Sequence, residues 1–179
     1  MAGAVALPTG SRIADLFVGA DLVDAYAIGL PRGTSHDVEA LARFMLSAEA
    51  PWLRLLMGFR DAVVAGFGLK TARRLRRESG QGSATDGVAR IYIFRVYEIT
   101  GNEAILGEDD KHLDFRVSVQ RRPGDIVVTT VVHCHNLLGR AYLALITPFH
   151  RLVVKSLLRR AARRGWPGSS AFDIAGRNK

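Results

Sequence analysis

The sequence predicts an α+β fold in which a curved antiparallel sheet of five to seven strands wraps around a long C-terminal helix. Three observations predict this class. Two adjacent segments, 111–120 and 125–136, alternate apolar and polar residues with the period of β-strands. The segment 137–164 repeats apolar residues every three or four positions, as an amphipathic helix does. The length of 179 residues suits one domain with its own core.

The chain is expected to open with a flexible leader, residues 1–15, followed by a single domain at 16–164. A first strand is predicted at 25–30, and two helices should follow it. The first helix is preceded by side chains that can accept a hydrogen bond from its first backbone N–H groups: Thr34, Ser35 and Asp37. Pro51 suits the first turn of the second helix, in which apolar residues recur at helical spacing.

Strand signals return at residues 89–99, which are rich in β-branched and aromatic side chains, after a polar loop at 78–87. A short strand at 104–106 precedes the hairpin formed by 111–120 and 125–136. The four residues Arg122–Asp125 between its arms contain Pro followed by Gly. This order suits a type II turn, because Pro presets φ and Gly accepts a positive φ.

This turn predicts which residues of the hairpin lie opposite one another. With Arg121 opposite Ile126, the pairs further along are Phe115 with Val132, Leu113 with Cys134, Asp114 with His133, and His112 with His135. One face of the hairpin is then apolar. The other face gathers one Asp and three His at one end, which is a suitable group for general acid–base chemistry.

The last helix, 137–164, is predicted to be capped by Asn136 and to be kinked or divided at Pro148. Its apolar stripe, expected to face the sheet, comprises Leu138, Tyr142, Leu145, Phe149, Leu152 and Leu157. A basic ridge on the opposite side comprises Arg151, Lys155, Arg159 and Arg163. Residues 165–179 should form a loosely held tail, with Trp166 and Phe172 as its docking points.

Composition limits the function classes. The single Cys134 permits no intrachain disulfide, and the N-terminus lacks the basic start of a secretory signal, so a cytoplasmic protein is expected. No apolar run reaches the length of about 20 residues that a membrane span requires. The net charge of +8 attracts anionic partners, although a solvated Arg-rich face is the simpler interpretation. Because exposed aromatic residues are expected to be few, nucleic acid is not an expected partner.

Three segments together resemble an uncharacterised bacterial family, a domain of unknown function: 50–69, 109–119 and 129–154. Members of that family occur alone or joined to nucleotide-sugar-epimerase-like oxidoreductase domains, so the resemblance implies such a domain as a partner. The family in turn resembles the START-like helix-grip folds (the SRPBCC group), which include lipid-transfer domains and aromatic polyketide cyclases. This resemblance implies a cavity between sheet and helix for a small, mostly apolar or aromatic molecule. It implies neither a particular reaction nor an oligomeric state.

Three functions stay open at this stage. The first is ligand binding with cofactor-free acid–base catalysis of the cyclase, dehydratase or isomerase type, carried out by His112, Asp114 and His135. The second is a non-catalytic small-molecule or lipid carrier or sensor. The third is a basic interaction protein that docks on an anionic partner. The ligand would be contacted by residues around the cavity: Tyr26, Trp52, Tyr97, Arg116, Thr130, His133, Asn136, Arg140, Tyr142, Phe149 and His150.

Each candidate also has a structural interpretation. The His/Asp face can be the solvated outside of the sheet, with Asp114 paired to Arg116. His150 can be a satisfied core histidine beside Pro148. A metal site at His133 and His135 is chemically permissible, but an H-x-H pattern on a strand is a weak signal, so no metal and no cofactor are predicted.

Overall fold

The computed structural model describes residues 1–47, 89–92 and 94–169, and it confirms the predicted α+β class. The described residues form one antiparallel sheet of seven strands in the order β1-β2-β7-β6-β5-β4-β3. The elements in chain order are β1 (Gly3–Ala4), a 3-10 helix (Ala14–Phe17), β2 (Leu22–Gly29), α1 (Val38–Leu46), β3 (Arg90–Ile91), β4 (Phe94–Ile99), β5 (Glu103–Asp109), β6 (Leu113–Arg122), β7 (Asp125–Cys134) and α2 (Leu137–Arg164).

The β6–β7 hairpin has the predicted register. Arg121 lies opposite Ile126, and four residue steps further from the turn Val117 lies opposite Thr130. The predicted pairs of Leu113, Asp114 and Phe115 with β7 are also present. Gly124 has a φ of 87°, which fits its position in the turn. Beyond the strands, the backbone N–H of His135 donates to the carbonyl oxygen of His112.

The N-terminal segment is part of the sheet, although the sequence analysis sets residues 1–15 apart as a leader. Gly3 and Ala4 pair with β2 as an edge strand. A buried carboxylate fixes the next residues: Glu103 of β5 accepts hydrogen bonds from the hydroxyl groups of Ser11 and Ser118, each at 2.5 Å, and from the backbone N–H of Arg12 at 3.0 Å. These bonds hold the N-terminal segment against the sheet.

Two strands differ from their predicted extent. The run predicted as one strand at 89–99 is divided into β3 and β4, because Tyr92 adopts a positive φ of 59° between them. Strand β5 extends beyond the predicted strand at 104–106 and includes Gly107. A Cβ at residue 107 would collide with the carbonyl oxygen of Phe115, so this glycine permits close pairing with β6.

Both described helices begin at a side-chain cap. Asp37 accepts a hydrogen bond from the backbone N–H of Ala40 at 3.0 Å, and Asn136 accepts one from Gly139, also at 3.0 Å. Helix α2 continues from Leu137 to Arg164 with Pro148 inside it, so of the two predicted alternatives, a kink or a division at Pro148, the division is wrong. The first residues after α2 are held in place, because the N–H of Ser35 donates to the carbonyl oxygen of Pro167 at 2.8 Å.

The face of α2 that packs against the sheet is only partly the predicted one, since Tyr142 is buried and Leu157 packs against the main core as predicted. Its buried residues are Gly139, Tyr142, Leu143, Val154, Leu158 and Ala161. Of the predicted stripe, Leu145, Phe149 and Leu152 are exposed. Two apolar stripes run along this helix, and the buried one contains the small residues Gly139 and Ala161, which permit a close approach to the sheet.

The main core lies between the sheet and the helices, and includes Tyr26, Leu41, Leu106, Ile126 and Leu158. The predicted second helix, the 78–87 loop and Phe172 lie outside the described residues. Within the part of the chain that the structure describes, α2 is the one helix long and apolar enough to cross a membrane by length and composition. Since Leu158 and Ala161 are packed into the core, this is weak evidence for a span.

Candidate functional site

An Asp–His pair lies on the inner face of the sheet, beneath α2. The Nε2 atom of His150 on α2 lies 3.2 Å from Oδ1 of Asp24 on β2. The side chains are only 21% and 12% exposed, respectively. The hydroxyl of Tyr26 donates a longer hydrogen bond, 3.5 Å, to the other carboxylate oxygen of Asp24. A carboxylate and an imidazole therefore meet in a part of the fold that is otherwise mostly apolar.

The period of two in β2 places Asp24 on this inner face. Asp24, Tyr26 and Ile28 share one side of the strand, and the last two belong to the main core. Across the strand pair, Asp24 lies opposite Thr130 of β7, which is buried. Burying a carboxylate is costly unless it has partners. His150 and Tyr26 supply those partners.

Two further features define the electrostatics of this inner site. The ammonium group of Lys155 lies 5.2 Å from the centre of the Tyr26 ring, within the range of a cation–π interaction. Burial, and after it the neighbouring charge of Asp24, raises the pKa of the Tyr26 hydroxyl, so that this group is protonated and a donor near neutral pH. Tyr142, two helical turns before His150, is buried on α2.

The His/Asp group predicted to be catalytic lies at the end of the hairpin and separates into two pairs. His135 contacts Asp114, with 3.0 Å between Nε2 and Oδ2, and both side chains are more than one third exposed. His112 contacts the side chain of Asn136, with 3.2 Å between Nδ1 and Oδ1. The Nε2 atom of His112 is buried and has no hydrogen-bond partner among the described residues.

His133 turns away from both pairs. Its Nε2 atom lies 2.9 Å from the carbonyl oxygen of Leu16, on the outer face of the sheet. Asp114 is opposite His133 in the register and therefore shares this outer face. Among the described residues, no three His, Cys, Asp or Glu side chains are grouped so that they could hold a metal ion.

Tyr97 and Arg116, predicted to line the cavity, form a separate cluster with Asp109 on the outer face. The Asp109 carboxylate accepts hydrogen bonds from Tyr97 at 2.8 Å and from Arg116 at 2.7 Å. The guanidinium of Arg116 also stacks 3.8 Å from the centre of the Tyr97 ring. Burial and the bond to Asp109 raise the pKa of Tyr97 to about 12. Arg116 therefore pairs with Asp109, and the predicted pairing of Arg116 with Asp114 is wrong.

The remaining predicted contacts are dispersed. Arg140 forms an exposed ion pair with Asp21 at 3.2 Å, Asn136 acts as the helix cap, and Phe149 is exposed. Trp52 lies outside the described residues. Burial, together with Asp21, raises the pKa of the Cys134 thiol to about 11, which makes this thiol a poor nucleophile near neutral pH.

The structure thus places Tyr26, Thr130, Tyr142 and His150 on the inner side, together with one residue that the sequence analysis missed. That residue is Asp24. The sequence carries a weak signal for it. Asp24 is the one acidic residue in the strand LVDAYAIG, and because it stands two positions before Tyr26, both side chains lie on the same face of the strand. An acidic residue on the core face of a strand requires a partner, and His150 was not identifiable as that partner by spacing.

Comparison with known families gives one match. Residues 16–157 match the family described as "Protein of unknown function (DUF2867)". Neither the curated proteins nor the solved structures give a significant match. The match covers most of the chain and includes every residue of the inner site.

Proposed function

The chain belongs to the DUF2867 family, and for this member we propose that it binds a small, mostly apolar molecule between the inner face of the sheet and α2. The observation that carries the proposal is the Asp24–His150 pair, 3.2 Å apart and largely shielded from solvent, beside Tyr26 of the main core. A protein gains little stability from a buried charged pair, because desolvation offsets the attraction. A ligand with one polar group could form a hydrogen bond with the pair, which would give the pair a role in binding.

The chemistry of the pair fits this role. Asp24 can orient the imidazole of His150, and the Tyr26 hydroxyl adds a hydrogen-bond donor. A few polar groups on an apolar wall are typical of small-molecule sites. A sheet with one long helix across it is also the arrangement expected of a START-like protein, and a relationship to that group is part of the proposal.

If the protein acts on its ligand, the inner pair is the better candidate for proton transfer. His150 would accept or return the proton and Asp24 would stabilise the imidazolium, in a cofactor-free reaction of the cyclase, dehydratase or isomerase class. The pair His135–Asp114 has the same composition but is more exposed. Carriage without chemical change is the alternative, and it uses the same inner site.

Native mass spectrometry of the purified protein tests the proposal. We expect a non-covalent adduct on the wild-type protein, a reduced adduct on Asp24→Asn, and an unchanged adduct on the matched control Asp114→Asn. Equal loss from both variants, or a wild-type protein without any adduct, would contradict an inner ligand site. A candidate ligand whose NMR spectrum or chromatographic retention changes on incubation with fresh protein indicates catalysis, including an isomerisation that conserves mass, and a ligand unchanged by both measures indicates carriage.

A further inference from the structure

Helix α2 presents an exposed apolar stripe on the side that faces away from the sheet. Three large side chains form its centre: Leu145, Phe149 and Leu152 are 46%, 40% and 52% exposed. The neighbouring small residues on this side are exposed too: Ala141, Ala144 and Pro148. We call these six residues the outward stripe.

The outward stripe is one continuous surface. Successive members are separated by three or four residues, or are adjacent in sequence, so that they fall on one side of a helix with 3.6 residues per turn. The residues buried against the sheet, such as Leu143, Val154 and Leu158, fall on the opposite side. Helix α2 therefore has two apolar sides, and the fold of the described residues uses only one of them.

The positive charge of α2 limits which partners the outward stripe can bind. Helix α2 contains seven Arg and Lys residues and no Asp or Glu. Beyond Leu152 the outward side continues with Arg159 and Arg163, at the same helical spacing, and both are exposed. The prediction that these two residues lie opposite Leu145, Phe149 and Leu152 is therefore wrong. The flanking Arg151 is exposed as well. An exposed apolar strip next to exposed basic residues can bind an anionic membrane surface, because the apolar side chains enter the headgroup boundary and the cations attract anionic lipids.

We propose that α2 docks with its outward stripe on an anionic lipid surface. Leu145, Phe149 and Leu152 would enter the boundary between headgroups and acyl chains, while Arg159 and Arg163 would contact lipid phosphates. A second copy of the chain fits this surface less well, because two helices of the same positive charge would be brought together. A nucleic acid would use the basic residues but would leave the apolar ones exposed.

Docking on the surface differs from spanning the bilayer. A span would remove Leu158, which is fully buried, and the neighbouring Ala161 from the core. Surface docking leaves these contacts in place and buries only the exposed side. The proposal is independent of the inner ligand site, because Asp24 and His150 lie beneath the helix.

Sedimentation with lipid vesicles tests the proposal on the full chain. We expect binding to vesicles of phosphatidylcholine mixed with phosphatidylserine, little binding to phosphatidylcholine alone, and a steep loss as salt rises. Arg159→Ala with Arg163→Ala should weaken binding about 30-fold, since each cation near an anionic surface contributes roughly fivefold. Leu145→Ser, Phe149→Ser and Leu152→Ser combined should reduce binding at least tenfold. Val18→Ser, an exposed apolar residue elsewhere, is the matched control.

Three results would overturn the proposal. One is equal binding of the wild type and the triple Ser variant. Another is a dimer, measured by light scattering, that the triple Ser variant abolishes, because the stripe would then be a protein interface. The third is a fall in the melting temperature of the triple Ser variant larger than the lower helix propensity of three Ser residues accounts for, because the stripe would then be covered within the chain itself.

Discussion

Removing the carboxylate of Glu103 should destabilise the fold more than removing any exposed acidic residue. Glu103 is 2% exposed and accepts hydrogen bonds from Ser11, Ser118 and the backbone of Arg12. In Glu103→Ala, the hydroxyl of Ser118, which is fully buried, and that of Ser11 lose this acceptor. Each buried polar group left unsatisfied costs about 1–3 kcal/mol, so we expect a loss of about 2–6 kcal/mol.

Urea unfolding followed by circular dichroism measures this loss. The matched control is Glu98→Ala on the adjacent strand, whose exposed ion pair with Arg12 should be worth less than about 1 kcal/mol. Adding Ser118→Ala to Glu103→Ala should recover part of the loss, because the orphaned hydroxyl is removed. Equal stability of the Glu103→Ala and Glu98→Ala variants would refute this reasoning.

Two further predictions concern close packing and pH. Gly139→Ala should cost about 1–3 kcal/mol in thermal unfolding, because its Cβ would collide with the carbonyl oxygen of His112, whereas Gly10→Ala, with open space around it, should be nearly neutral. Burial opposes the ionisation of Asp109, but the hydrogen bonds from Arg116 and Tyr97, together with the positive charges of Arg116 and Arg95, outweigh it and lower the pKa below 3.8. The extra stability of the wild type over Asp109→Asn should therefore have its full value above pH 3.8 and disappear as the pH falls through the lower folded-state pKa of Asp109. A stability difference that is constant with pH would contradict this.

The sequence predicts the hairpin and the helix caps well because local rules determine them. The Pro123–Gly124 turn sets the register of β6 and β7, and the period of two then assigns each side chain to a face. Asn136 caps α2 by accepting a hydrogen bond from the backbone N–H of Gly139, only three residues further along the chain. Neither inference requires knowledge of distant residues.

The orientation of α2 is not predictable in this way. Both of its stripes have helical spacing and both contain large apolar side chains, so spacing alone cannot tell which of them faces the sheet. The buried stripe is selected by fit, since Gly139 permits the helix to approach the backbone of His112. Such contacts form only when the sheet is assembled, so the spacing of apolar residues in the sequence cannot predict them.

The candidate site was only partly predictable for the same reason. The predicted ligand contacts include Tyr26, Thr130 and His150, which lie on the inner side of the structure. Asp24 was missed because its partner on α2 is 126 residues away. Likewise, β1 carries no strand signal, since two small residues pair at the edge through their backbones alone.

The central claim is that the inner face of the sheet, and not its outer face, receives the ligand. Amide chemical-shift mapping on the ¹⁵N-labelled protein, titrated with the small uncharged aromatic probe 2-naphthol, tests it most directly. We expect the largest shifts at Asp24, Tyr26, Thr130 and His150. Shifts confined to Asp114, His135 and the rest of the outer face, or no saturable shifts at all, would contradict the account.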